Sequence, residues 1–376
     1  MSAAQQAILI AGFSGRALAA SARRAGYLPL VVDGFGDTDT RAIAGAVDVQ
    51  PDAVATGFTA ARLIPALDAL ARSSPVPVAG LVLGAGFEDT PGLVASLAAH
   101  HTLLGCPATS VAEAKDPAQF FGLLTELGIA HPETRVLAPA DGSGWLSKRI
   151  GGSGGNHIAV CGRRVSGLKD RYYQKRLAGA AISMLGVVKG RRAAFAFTRQ
   201  WPSPMPRRPY RFGGVAGAID LDADLEARLI DIGLDLSVRL GLAGLVSLDF
   251  LLVDGEPNLI EVNPRPGASL DVLDDEGGTL FAAHVAACRG EDPVAILTRS
   301  WRPRPRAAAY LYADAGDLTV PDIDWPAWAS DRPAAGTRIP RHFPVATVHA
   351  TAESAEAAAK LADQRLGDLA VMLYPS

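Results

Sequence analysis

Apolar and polar positions follow two rhythms over residues 1–110. Residues 7–11 form a short apolar run, Gly12-Phe13-Ser14-Gly15 turns the chain, and residues 16–26 carry the three-to-four spacing of an amphipathic helix. A second apolar run, 28–33, ends on Asp33, and a third, 78–83, leads through Gly84-Ala85-Gly86 into a helical stretch that reaches His100. Strand, turn, helix, strand in this order predicts an open parallel α/β sheet, with ligands expected at the strands' C-terminal ends.

A different pattern begins near residue 111. Ala114-Lys115-Asp116-Pro117 opens a helical segment that stops at Gly128, and residues 135–195 read as short strands punctuated by glycine. Helical periodicity returns over 221–240, two apolar runs flank Asp254-Gly255, and another helix follows near 278–289. Residues 202–209 are proline-rich and read as a surface loop, and the Pro/Arg stretch 301–305 reads as a linker. Beyond it, 307–312 and 344–348 predict strands and 353–366 an alanine-rich helix. The expected organisation is an α/β domain over 1–110, a larger domain over 111–300 and a C-terminal α/β segment over 301–376. That last segment either finishes the preceding domain or forms part of a homodimer interface.

Composition narrows the class. Hydrophobic residues make up 49% of the 376 and charged residues 20%, with a mean hydropathy of +0.17, enough to fill several cores and too much for a disordered chain. Lys+Arg total 36 against 39 Asp+Glu, a net charge of -3, which gives no basic footprint for nucleic acid or an anionic membrane. No apolar stretch approaches the ~18 residues of a membrane helix, and the start MSAAQQAILIAGF lacks the positive charge of a secretory signal. Cys106, Cys161 and Cys288 are odd in number and far apart, which argues against a disulfide framework or a zinc site and for a cytoplasmic setting. Only 6 of the 36 basic residues are lysine. Generic positive charge is therefore arginine's work, and each lysine calls for a reason.

The richest segment runs from Gly244 to Pro266 and reads as a β-hairpin turning at Asp254-Gly255. With the turn centred on Gly255, Asp249 and Glu261 are equidistant from it and face each other at ~4.5–5.5 Å. Asn263 shares their face. Facing carboxylates destabilise a sheet unless a cation lies between them. Two carboxylates and an amide carbonyl suit Mg²⁺, with Mn²⁺ as the alternative; phosphate oxygens and water would fill the remaining positions. A solvated hairpin face is the plain competing reading.

Upstream, Lys148-Arg149-Ile150 leads into Gly151-Gly152-Ser153-Gly154-Gly155. Such a loop is costly to order and lets backbone N–H groups approach an anion closely. Its spacing is neither that of a P-loop nor that of a dinucleotide fingerprint. Lys148 could neutralise phosphate oxygens; a surface lysine on a flexible loop is the alternative. Gln174-Lys175-Arg176-Leu177 reads as a strand entering a turn, with backbone groups able to meet an adenine edge.

Taken in order, these pieces resemble the ATP-grasp superfamily over about residues 110–290, most specifically in Asp249…Glu261-Val-Asn263-Pro264-Arg265. The segment before them resembles a pre-ATP-grasp domain, so the resemblance implies an open parallel α/β sheet followed by an α+β ATP-grasp core. Gly84-Ala-Gly-Phe-Glu88, Thr198-Arg-Gln-Trp201, Tyr210-Arg-Phe-Gly213-Gly214 and Asn263-Pro-Arg265-Pro resemble the small carboxylate–amine ligase branch, to which tyramine–glutamate ligases belong. Gly12-Phe-Ser-Gly15-Arg16 and Asp33-Gly-Phe-Gly-Asp37 are similar to ATP-grasp proteins of methanofuran- and methanopterin-type C1 cofactor pathways.

The resemblance implies ATP and Mg²⁺ as cofactors and an ADP-forming ligase that joins a small carboxylate, such as glutamate, to an amine through an acyl phosphate. It implies that Lys148 contacts the α- and β-phosphates and that Gly151, Gly152, Ser153, Gly154 and Gly155 close over the β- and γ-phosphates. Lys175 would lie against the adenine, with the Gln174, Lys175, Arg176 and Leu177 backbone reading its edge. Asp249, Glu261 and Asn263 would hold metal, and Arg265 would stabilise the transferring phosphoryl group. Around the expected substrate pocket, Glu88 is placed to receive an amine and Arg16, next to Ser14, a carboxylate. Arg211 and Gly214 belong to a loop over the pocket, and Asp271, Asp274 and His157 are weaker candidates.

Three departures accompany this resemblance. Asp116 precedes Pro117 where a lysine is usual, with Lys115 two residues early; Ala181 stands where a ribose-binding glutamate is common; Ser247 stands where D-alanine–D-alanine ligases carry arginine. Ser14 and Ser153 lack a partner histidine at recognisable spacing for covalent catalysis. The rival readings are an ATP-grasp phosphotransferase or ligase with a non-amine acceptor, and a nucleotide-binding protein without turnover. Gly12-Phe-Ser-Gly15 is one glycine short of a nicotinamide dehydrogenase's fingerprint.

Overall fold

The computed structural model describes residues 5–165 and 167–374. The N-terminal unit contains β1 (Ala7–Ala11), α1 (Arg16–Arg24), β2 (Leu28–Asp33), α2 (Thr38–Ile43), β3 (Ala46–Val49), α3 (Ala53–Thr56), α4 (Ala60–Ser73), β4 (Val78–Leu83) and α5 (Pro91–His100). Its strands are parallel in the order β3-β2-β1-β4. β1 is apolar throughout because both faces of a parallel sheet are covered. Leu9 packs with Leu63, Leu67 and Leu97 on one side, while Ile8 and Ile10 join a core shared with Leu18, Leu245, Leu280 and Phe281 on the other. The strand order sets the loops after β1, β2 and β4 side by side. Backbone meets backbone there: a Cβ on Gly12 would lie 3.3 Å from the Gly84 Cα.

The central unit opens with α6 (Ala108–Lys115) and α7 (Pro117–Glu126). A small sheet follows, β5 (Thr134–Arg135), β6 (Trp145–Arg149), β7 (Ala159–Val160) and β8 (Arg171–Lys175), in the order β5-β8-β6-β7. Then come β9 (Ala180–Lys189), β10 (Arg192–Pro202), β11 (Phe212–Ile219), α8 (Ala223–Arg239), β12 (Ala243–Val253) and β13 (Glu256–Asn263). Helices α9 (Leu270–Leu273), α10 (Thr279–Cys288) and α11 (Pro293–Ser300) lead to β14 (Arg306–Tyr312), β15 (Leu318–Thr319), β16 (Ala329–Ser330), β17 (Arg338–Ile339), β18 (Pro344–Thr351) and α12 (Ala355–Leu373).

One sheet crosses the Pro/Arg stretch. Its order is β13-β12-β9-β10-β11-β14-β18-β16, so the strands after residue 305 extend the sheet that carries the β12–β13 hairpin. Ala358, Ala362 and Leu369 of α12 pack on Ala307, Ala309 and Val348; small residues let the helix lie close. Phe120, Leu124, Leu229 and Leu236 of α7 and α8 pack against Met184, Val246 and Phe250 of the same sheet. The expected α/β class and parallel first sheet are present. Among the described residues, no helix is long and apolar enough to cross a membrane.

Candidate active site

β12 and β13 join through Asp254-Gly255, both at positive φ (51° and 82°), which sets Val253 opposite Glu256. An unbroken ladder would then place Asp249 opposite Ile260. A β-bulge between Asp249 and Phe250 shifts the register by one and puts Asp249 opposite Glu261 and Ser247 opposite Asn263. The expected carboxylate pair is therefore present for a different reason: the turn is centred between residues 254 and 255, and the bulge restores the alignment.

Cations surround this pair. Lys115 Nζ donates to Glu261 Oε1 at 2.5 Å and to Asn263 Oδ1 at 2.9 Å, and Asn263 Nδ2 donates to Asp249 Oδ2 at 3.1 Å. The early position of Lys115 follows from the break after it. Asp116 caps α7 by accepting from the Ala118 and Gln119 N–H groups, Pro117 starts that helix, and Lys115 ends α6 buried against β13. Lys148 is buried and donates to Gln174 Oε1 at 2.7 Å. Burial lowers its pKa, while Glu261 and Asp249 work in the opposite direction. Burial would raise the Glu261 carboxyl, but Lys115 and Lys148 outweigh it and hold it below its usual value. Asp249, pushed up by burial and by Glu261, reaches about 6.

Asp249, Glu261 and the Asn263 carbonyl form an all-oxygen set, and an ammonium already lies against two of its members. That chemistry fits Mg²⁺. Among the described residues no three His, Cys, Asp or Glu side chains group as a metal site by themselves. Asn263 must supply the third protein oxygen, and phosphate and water the rest.

The glycine loop follows β6. Gly151, Gly154 and Gly155 have φ of 67°, 68° and 73°. A Cβ on Gly155 would sit 1.8 Å from the Tyr210 carbonyl oxygen, and Phe212 N–H donates to Gly154 O at 3.0 Å. The loop thus lies down on the start of β11, with Gly151 against Asp89 on its other side. Ser153 is half-buried within it. A small cavity between Lys115, Phe121, Gly152, His157, Tyr172 and Glu261 joins loop to hairpin. Burial lowers His157 to about 4, so its ring is neutral. In the hinge segment, Lys175 and Arg176 are exposed and Leu177 is half-buried. Lys175 Nζ lies 5.2 Å from the Trp145 ring, and Arg176 N–H donates to Gly144 O at 2.8 Å. Gln174 does more than lend its backbone: its buried side chain holds Lys148.

The expected substrate contacts are placed differently. Glu88 is not free for an amine; it accepts from Arg265 Nε at 2.6 Å and from the Gly86 and Phe87 N–H groups at 2.7 and 2.9 Å. Arg16 is not free for a carboxylate. It is forked onto Asp271 at 2.7 and 2.5 Å and reaches Asp331 twice at 3.0 Å, while Ser14 Oγ donates to Asp331 at 3.2 Å. Arg211 is fully buried beneath the loop, bonded to Asp314 at 2.9 and 2.7 Å and stacked 3.8 Å over Tyr312. Gly214 makes room for Trp201, whose ring a Cβ would meet at 2.3 Å. Asp274 accepts from Ser21 and Arg24, both at 2.6 Å. Asp331 and Asp314 had no local signal in the sequence, since each is paired far along the chain.

Residues 114–269 match the family model of the ATP-grasp domain. No curated protein is significantly similar in sequence. The L-amino acid ligase of Bacillus licheniformis is similar in structure with a TM-score of 0.70 at 15% identity, over 96% of this chain and 97% of that one. The biotin carboxylase domain dimer of Hydrogenobacter thermophilus 2-oxoglutarate carboxylase, solved with MgADP, ADP and bicarbonate, gives 0.70 at 12% identity over 95% and 88%. N5-carboxyaminoimidazole ribonucleotide synthetase of Thermus thermophilus gives 0.66 at 16% over 98% and 99%. The chain therefore has the ATP-grasp fold, and the residues that match the ATP-grasp domain, 114–269, hold Lys115, Lys148, the glycine loop, the carboxylate hairpin and Arg265.

Proposed function

We propose that this protein is an ATP-dependent ligase that activates a small carboxylate as an acyl phosphate and joins it to an amine. The observation that carries this reading is the hairpin face itself: Asp249, Glu261 and Asn263 set against Lys115 and Lys148, with Arg265 at its end. In the first step a substrate carboxylate oxygen attacks the γ-phosphorus, the bond to the bridging oxygen breaks, and ADP leaves. In the second the amine nitrogen attacks the acyl carbon, the C–O bond to phosphate breaks, and phosphate and one proton are released. Such chemistry asks the protein for position and charge rather than a nucleophile.

Lys148, oriented by Gln174, would meet the phosphates, and the Gly151–Gly155 loop would shield the intermediate from water. Arg265, held by Glu88, would face the transferring group. Asp249, Glu261 and Asn263 would hold Mg²⁺, which supplies charge neutralisation of the phosphates when bound. Lys115 is then free to turn from the hairpin toward phosphate. The L-amino acid ligase and the MgADP-bound carboxylase domain support this reading as proteins of like fold. The narrower reading, glutamate joined to an arylamine in C1-cofactor assembly, rests on short fragments: those at 84–88, 198–201, 210–214 and 263–266 for the ligase branch, and those at 12–16 and 33–37 for the pathway.

ADP release from Mg-ATP over a grid of carboxylates and amines, with products weighed by mass spectrometry, tests the reaction. The expected result is ADP only when both partners are present, with a product at their summed mass less water. Lys148→Ala and Glu261→Gln should each lower the rate by about 100-fold or more, the scale of losing a group that stabilises transition-state charge. AMP and pyrophosphate would overturn the acyl-phosphate route.

A further inference from the structure

The loops after β1 and β2, the start of α9 and residues 331–332 close on one another and bring Asp33, Asp37, Asp39, Asp271 and Asp331 around Arg16. Most of these carboxylates have structural work. Asp33 accepts the Phe35 and Gly36 N–H groups at 3.2 and 2.7 Å and that of Gly15 at 3.4 Å. Asp39 accepts those of Asp331 and Arg332, both at 2.9 Å. Asp271 and Asp331 share the Arg16 guanidinium. Asp37 has none. It is 7% exposed, and among the described residues its carboxylate has no hydrogen bond or ion pair. The charges of Asp331, Asp33 and Asp39 act on it, and Arg16 is the cation that opposes them. The Tyr310 phenol, without a hydrogen-bond partner among the described residues, faces Asp331, Asp271 and Arg16 in the same cluster.

A buried carboxylate surrounded by like charge and left unbonded is a costly arrangement for a purely structural contact. It becomes favourable when a cation arrives from outside. We propose that this cluster is the subsite for an ammonium group of a substrate other than the nitrogen that attacks the acyl phosphate, with Asp37 as its principal receptor and Asp331 beside it. Two features add to this. The cluster lies on the same sheet edge as Glu88, which holds Arg265, so a substrate anchored here by one ammonium group would extend its reacting group along that edge. Arg16, consumed by Asp271 and Asp331, is not free to make the cluster receptive to an anion. The inference deepens the ligase reading and rests on it for the fate of the substrate, but cation binding can be measured without turnover.

Burial and the charges of Asp331, Asp33 and Asp39, opposed by Arg16, push Asp37 up to about 8. An ammonium that seats on it must therefore displace a proton near neutral pH. Isothermal titration of the full chain with 2-phenylethylamine against 2-phenylethanol, and with 1,4-diaminobutane against 1,4-butanediol, reads both events. At pH 7 in buffers of different ionisation enthalpy, the amines should bind at least about tenfold more tightly than their alcohols, the scale of one charge-assisted hydrogen bond, with net proton release. Asp37→Asn should lose that preference and the proton release while ATP binding is unchanged. A thermal melt of the same variant, expected to be at or above the wild-type midpoint, excludes misfolding as the cause. No preference for either amine over its alcohol, or amine binding and proton release unchanged in Asp37→Asn, overturns the proposal and leaves the cluster as an interdomain clamp. Carboxylate-dependent ADP formation failing while amine binding holds would instead overturn the ligase reading alone.

Discussion

Glu88 and Asp37 stand on the same edge of the same parallel sheet, 4% and 7% exposed, yet they protonate at opposite ends of the carboxylate range. Burial pushes both upward. In Glu88 the Arg265 and Lys115 charges and the Gly86 N–H reverse the push and carry it down to about 2. In Asp37 nothing reverses it; Asp331, Asp33 and Asp39 add to it, and it rises to about 8. Depth in the protein is therefore no guide to a carboxylate's role. What separates the two is whether the fold supplies a partner. A supplied partner makes a brace, as Glu88 is for Arg265, and a missing one makes a receptor.

The severest way to break this contrast is to take away the brace's cation. Arg265→Ala leaves Glu88 buried beside two backbone donors and no guanidinium, the situation of a half-broken buried ion pair. Stability should fall by about 3–5 kcal/mol in urea unfolding. In the proposed reaction the same arginine would face the transferring phosphoryl group, so ADP formation should fall by about 100-fold or more. An unfolding midpoint close to wild type would mean that the Gly86 and Phe87 N–H groups alone satisfy Glu88, and the distinction between brace and receptor would lose its basis.

The pH dependence of stability sharpens the contrast, because the two groups act with opposite sign. The Glu88 carboxyl binds its proton more weakly in the folded chain (about 2) than at the usual glutamate value of 4.5. Its contribution is complete above about 4.5 and is lost as pH falls toward 2. Asp37 holds its proton more tightly folded (about 8) than at 3.8. Its contribution is complete below 3.8 and is lost as pH rises toward 8. Asp37→Asn should therefore match wild type near pH 4 and exceed it by about 1–3 kcal/mol at pH 9, where the wild type carries an unpartnered buried charge. Parallel curves for the two proteins across that window would show that Asp37 ionises as an ordinary surface acid.

The two sides of the molecule also differ in how far they can be read from sequence. Asp249, Glu261, Asn263 and Arg265 lie in one hairpin, where a period of two and an Asp-Gly turn bring them onto one edge. The glycine loop and Lys148 are equally local. Even there the bulge at Ile260 has no glycine or proline to announce it, and the pairing of Asp249 with Glu261 depends on it. The substrate edge is built at long range: Arg16 finds Asp271 and Asp331 across separations of 255 and 315 residues. No local pattern can show that an arginine at a helix start is already filled, or that Asp37 is left over. Lys115 is an intermediate case. Asp116 and Pro117 mark the helix break in the sequence, but the direction in which that break aims the lysine appears only once α6 packs beside β13.

The smallest expected effect separates the edge's supporting groups from its receptor. Ser14 Oγ donates to Asp331 Oδ1 at 3.2 Å in an exposed position, while Arg16 holds both oxygens of the same carboxylate. Ser14→Ala removes one hydrogen bond and leaves the charge where it was, so stability should fall by only about 0.5 kcal/mol. Because Asp331 stays bonded to Arg16, the field on Asp37 is unchanged. The pH profile of the variant should overlay that of wild type, with the Asp37 limb in place. Amine affinity should change by less than about threefold, a difference under 1 kcal/mol. A tenfold loss of amine affinity with stability unchanged would move Ser14 from a support of Asp331 to a contact of the substrate. The receptor would then extend from Asp37 across the loop after β1.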